Sequence, residues 1–154
     1  MKKTFIFSVL LAVSFFLSSA LFAHETEDHA ALEISEAWAR KTGSRTASAA
    51  VYLNLKNGTD AAETLLSVSS PRAAMATIHR SFEQDGIMRM EMQDELEIAP
   101  GSAAAFAPGG LHIMLMRLDK PLKQGEVFPV VLTFKVAGDV TIYVDVTGIG
   151  GPQK

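Results

Sequence analysis

Apolar residues in this chain fall into short runs, most with a period of two, separated by turn-forming residues. Leu32 and Ile34 alternate with polar neighbours ahead of Ala37-Trp38-Ala39-Arg40, and Ala49, Val51, Leu53 and Leu55 share one face of the next run. Lys41-Thr42-Gly43-Ser44 and Asn57-Gly58 read as turns between and after them; Asn57-Gly58-Thr59 also fits a glycosylation triplet, but a turn is the simpler reading. Thr64 to Ser69 forms a further run, stopped by Pro71. Met75 to Ser81 and Ile87 to Met92 flank Asp85-Gly86, a strong hairpin signal. Leu96 to Ala99, Ala103 to Ala107 and Leu111 to Leu118 end at Pro100-Gly101, Pro108-Gly109-Gly110 and Asp119. Val127 to Val136 carries Pro129 as a local irregularity, and Val140 to Val146 follows the Gly138-Asp139 turn. About nine short strands with turns every eight to twelve residues, no long helical period and no repeat predict one all-β domain, an antiparallel Greek-key sandwich or barrel.

The start of the chain departs from this pattern. Lys2 and Lys3 precede an apolar stretch from Phe5 to Leu17, and Leu21-Phe22-Ala23 ends in a small residue. Residues 1–23 therefore read as a secretory signal peptide, too short to anchor the protein stably in a membrane, and the location expected is the periplasm. Residues 24–31 read as a flexible polar segment, 32–147 as the β domain and 148–154 as a flexible glycine-rich tail. Removing residues 1–23 takes two lysines and no acid from 14 basic and 17 acidic residues, which leaves 12 against 17 and a net charge of −5. An acidic domain without a basic cluster is a poor nucleic-acid binder. An exported chain with no cysteine has neither disulfides nor thiolate ligands, so any metal site must use His, Met or carboxylates.

His79, Met90, His112 and Met114 offer such a site. A two-residue turn at Asp85-Gly86 pairs position 79 with 92 and 81 with 90, whereas a four-residue loop pairs 79 with 90 directly; both put His79 and Met90 on one face. Met92 falls on that face too, and His112 and Met114 share a face because they are two apart. Thioether sulfur is a soft, neutral ligand suited to Cu(I), zinc sites are built from Cys, His and carboxylate, and a blue-copper centre needs a cysteine. Taken singly, each of these residues reads as structure: Met88, Met90, Met92, Met114 and Met116 as gap-filling core, the histidines as surface or satisfied core. An exported adhesion or assembly β-sandwich is thus the competing reading. A copper or zinc enzyme is a second; Glu83, Asp85 and Glu91 lie near the hairpin, yet no nucleophile and base pattern accompanies them. His24 and His29 are candidates for a secondary Cu(II) site, His24 through its imidazole and the amine of a new N-terminus.

His79, ten residues, Met90, twenty-one residues, then His112-Ile113-Met114 resembles the signature of the periplasmic copper chaperones of the PCuAC type. Ala37-Trp38-Ala39-Arg40, Asp85-Gly86-Ile87-Met88-Arg89-Met90, Pro108-Gly109-Gly110-Leu111 and Pro121-Leu122-Lys123-Gln124-Gly125-Glu126 also look like that family, and the likeness runs from Leu32 to Val146. The resemblance implies a cupredoxin-like fold and Cu(I) held near the surface by His79, Met90, His112 and Met114. It implies no enzymatic activity, and delivery of copper to the CuA centre in subunit II of cytochrome c oxidase, directly or through a Sco-type partner. Two features depart from the family. Arg80 and Ser81 follow His79 where many members carry a methionine, and Gly148 to Lys154 lacks the His- and Met-rich tail of some members.

Overall fold

The computed structural model describes residues 32–152. Ten strands and no helix occur among them: β1 (Leu32–Arg40), β2 (Ser48–Asn57), β3 (Glu63–Ser69), β4 (Ala73–Gln84), β5 (Ile87–Gln93), β6 (Leu96–Ile98), β7 (Ala103–Phe106), β8 (Leu111–Leu118), β9 (Val127–Phe134) and β10 (Gly138–Thr147). The all-β fold expected from the alternation is present. The signal sequence and both N-terminal histidines, His24 and His29, lie outside the described residues.

The strands join into one sheet in the order β5-β4-β8-β7-β2-β1-β10-β9-β3-β6. β2 is shared along its length: Ser48 to Val51 pair with β8, and Leu53 to Lys56 pair with β7. β3 comes alongside β4 across a cleft of about 260 Å³ between Leu66–Val68 and Ala76–Ile78, so the sheet curls over its own core. Antiparallel pairing is not universal. β1 runs parallel to β10, with Trp38 opposite Asp145, and β7 meets β8 in parallel at Phe106 and Leu111. Alternation fixes which face a side chain takes but not the direction of the neighbouring strand, so these parallel contacts have no signature in the sequence.

The inner face carries Val51, Leu55, Leu65, Ile113, Leu115, Phe128, Val130, Leu132 and Val144, all essentially inaccessible to solvent. Each such side chain is worth about 1.5–3 kcal/mol on burial. Two buried polar residues brace the loops. Asn57 Nδ2 donates to the carbonyls of Ala61 (2.8 Å) and Ile98 (3.0 Å), while its Oδ1 accepts from the Thr59 amide (3.0 Å) and hydroxyl (2.7 Å). The presumed turn residue is thus a satisfied core residue that ties β2 to the end of β6. Glu63 accepts from the backbone amides of Thr64 (2.8 Å), Val136 (3.0 Å) and Ala137 (2.9 Å), which holds the β9–β10 turn. In the tail, Gly151 is buried against the Trp38 indole, close enough that a Cβ there would stand 3.1 Å from the ring.

Candidate metal centre

The β4–β5 hairpin closes at Asp85-Gly86, with Gln84 opposite Ile87. Asp85 (φ 52°) and Gly86 (φ 75°) both adopt the left-handed conformation that a two-residue hairpin turn demands. Of the two registers open to the sequence, the tight one is therefore realised. It sets Met92 directly opposite His79 and Met90 opposite Ser81. Strand β8 lies on the other side of β4, with His112 directly opposite His79 and Met114 opposite Thr77. That pairing, between residues 33 positions apart, brings the two histidines together: their rings stack with centroids 5.8 Å apart and an interplanar angle of 28°.

Directly opposed residues share a face, so His79, His112, Met114 and Met90 all project from the same side of the β5-β4-β8 ribbon. Met92, Met88, Met116 and Met75 lie on that side too. The gap-filling role considered for these methionines does not describe β5: Met88, Met90 and Met92 are 60, 54 and 57% exposed. Burial increases toward β8, where Met114 is half-buried and His112 is 5% exposed.

Hydrogen bonds orient both rings. His112 Nδ1 lies 3.1 Å from the Gly110 carbonyl, to which it donates, and this leaves Nε2 with its lone pair. The same carbonyl accepts from the Ser81 amide at 3.0 Å, so Gly110 pins the β7–β8 turn to β4 beside the histidines. Gly109 makes this turn possible with φ 82°. His79 Nε2 lies 2.8 Å from Thr77 Oγ1. Its Nδ1 is buried and has no partner of any kind. With the Nε2 proton donated to Thr77, Nδ1 presents a bare lone pair, the arrangement found where an imidazole binds a metal through one nitrogen and is held by the other. Burial, and secondarily the neighbouring His112, hold the His79 pKa below the ordinary imidazole value of 6.5, which keeps it a neutral donor.

An orphaned imidazole nitrogen, a second fixed imidazole and flanking thioethers form a neutral, soft donor set that fits Cu(I). Among the described residues, no three or more His, Cys, Asp and Glu side chains converge, so a hard-ligand zinc or calcium site has no counterpart here. Thr77 was not among the residues singled out from the sequence. A threonine two before a histidine is unremarkable in a strand, and only the pairing of β4 with β8 shows which ring it serves.

Solved PCuAC domains share this curled all-β sheet. The copper-bound PCuAC domain from PmoF2 superposes with a TM-score of 0.66 at 26% identity, over 76% of this chain and 92% of that one. Cu(I)-DR1885 from Deinococcus radiodurans shares the fold at 24% identity, with a TM-score of 0.62 over 85% of this chain and 89% of that one. In sequence, residues 32–146 match the model of the family described as "Putative lipoprotein LpqE-like", and the chain belongs to that family. A relative in Leifsonia xyli, named "Putative lipoprotein Lxx21020", is 30% identical over 124 residues, 80% of this chain and 74% of its own length.

Proposed function

We propose that this protein is an exported Cu(I) metallochaperone, with His79, Met90, His112 and Met114 as the copper ligands. What supports this most is the direct opposition of His79 and His112, with a buried, unpartnered Nδ1 on His79 and both thioethers on the same face. The copper bound by the PmoF2 domain of like fold supports the choice of metal. The lipoprotein name of the Leifsonia relative agrees with export, as does the apolar leader of residues 1–23. His24 and His29 offer a weaker Cu(II) position in the same scheme.

The donor chemistry suits carriage. Two imidazoles and two thioethers bring no negative charge, so the ion keeps its charge and is not over-stabilised. His112 and Met114 supply a fixed, largely buried half of the site, whereas Met90 stands in solvent. An incoming thiolate of a partner displaces the exposed thioether first and binds Cu(I) more strongly than a neutral sulfur. By resemblance to the PCuAC chaperones, that acceptor is the CuA centre of cytochrome c oxidase subunit II or a Sco-type copper protein. An assembly module with structural methionines would need these side chains packed, and on β5 they are more than half exposed.

Titration with Cu(I) under reducing conditions tests this reading. The wild type takes up one equivalent tightly, and His79→Ala or Met114→Ala loses it while the far-ultraviolet dichroism stays native. No uptake by the wild type, or unfolding of both variants, would favour the structural module.

A further inference from the structure

The hairpin register places a thioether closer to the histidines than the one assigned above. Met92 is directly opposite His79, whereas Met90 is opposite Ser81 and so diagonal to His79. Opposed residues in an antiparallel pair have Cβ atoms about 4.5–5.5 Å apart, against about 7–8 Å for diagonal ones. Met92, His79 and His112 therefore form one row across β5, β4 and β8, and Met90 stands one step off that row. Met90 and Met92 are both more than half exposed, at 54 and 57%, so neither is held by packing. Three rotatable side-chain torsions let either sulfur swing toward the imidazoles.

We infer that Met90 and Met92 are alternative thioether ligands for the same Cu(I) ion, so that one β5 sulfur can leave while the other holds. This rests on the reading of His79, His112 and Met114 as copper ligands. The consequence is an exchange device at the open edge of the sheet. Among the described residues β5 is the terminal strand of the sheet, so the sulfur not in use faces solvent, where an acceptor approaches. The ion then moves outward from the fixed His112–Met114 half without passing through a state with only three donors. No electron is transferred, and copper stays monovalent throughout.

Leucine replaces either methionine at similar volume and, at these exposed positions, leaves the fold intact. With two interchangeable donors of equal strength, losing one removes half of the equivalent bound states and halves the binding constant, an affinity loss of about twofold. The test is copper K-edge absorption of the Cu(I)-loaded wild type, Met90→Leu, Met92→Leu and the double variant, with Cu(I) affinity read by competition against a chromophoric chelator. Each single variant is expected to keep two sulfur neighbours and to lose about twofold in affinity. The double variant is expected to fall to one sulfur and to lose far more than the product of the single effects. Met90→Leu alone falling to one sulfur, with Met92→Leu indistinguishable from the wild type, would overturn the inference and leave the four-ligand site standing. A wild type with no sulfur neighbours would overturn the site itself.

Discussion

Replacing Thr77 with valine removes one hydroxyl and keeps the branched shape of the side chain. In the protein that hydroxyl is 2.8 Å from His79 Nε2, while Nδ1 of the same ring has no partner. Thr77 sits half-buried in β4 opposite Met114. Its hydroxyl bonds the ring nitrogen remote from the unpartnered Nδ1, so its effect on a metal held at Nδ1 runs through the ring. Without it, the proton is no longer favoured on Nε2, and the ring is free to turn about its χ2. Partners of this kind are worth about 10–100-fold in metal affinity, or about 1.4–2.8 kcal/mol. Folding stability should fall by only about 1 kcal/mol, the net value of one hydrogen bond. Chelator competition reads the affinity, and nitrogen-15 chemical shifts of the apo protein read the tautomer. The wild type should show His79 protonated on Nε2, Thr77→Val should show a mixture and weaker Cu(I) binding, and Thr77→Ser should restore both. A Thr77→Val protein that binds Cu(I) within twofold of the wild type, or a wild-type His79 carrying its proton on Nδ1, would refute the role given to this hydroxyl.

Two pH effects follow from the titratable groups. The His79 pKa lies below 6.5, chiefly through burial, so the folded protein resists protonation there while the unfolded chain does not. The apo protein should therefore lose stability as pH falls below 6.5, and Cu(I) affinity should hold to lower pH than for an unperturbed imidazole; both are measured by titration from pH 7 downward. For Glu63, burial alone would raise the pKa, but the amides of Thr64, Val136, Ala137 and Lys135 outweigh it and lower it from 4.5. Its contribution is present above that value and disappears as pH falls through the lower folded pKa. Glu63→Gln should cost about 2–3 kcal/mol in urea unfolding at pH 7, because a charged acceptor of several amides is lost, and the gap to wild type should close under acid. An unchanged midpoint would show that these amides are satisfied without the carboxylate.

The hydrophobic alternation was enough to locate nearly every strand, because each buried run from Val51 to Leu55 or from Phe128 to Phe134 must face one core. Asp85-Gly86 carried the hairpin, since few other dipeptides accept two left-handed residues in succession. Parity alone also puts His79 and Met90 on one face. What it could not supply was the neighbour of β4. The opposition of His79 and His112 depends on which strand pairs with which, a long-range choice set by the whole sheet. For the same reason Thr77 and the Gly110 carbonyl, which orient the two rings, were invisible. Asn57 looked like a turn because its type favours turns, yet its amide serves four groups around the end of β6 and the loop after β2. The parallel alignment of β1 with β10 was equally silent, because a strand's side-chain pattern is the same in either direction.

On the function proposed above, His79, His112, Met114 and a β5 methionine together hold one monovalent copper ion. The most direct measurement is the sulfur and nitrogen count around copper in the Cu(I)-loaded wild type by K-edge absorption. Two nitrogen and two sulfur neighbours are expected. A shell of nitrogen and oxygen alone, or no retained copper after gel filtration, would contradict it.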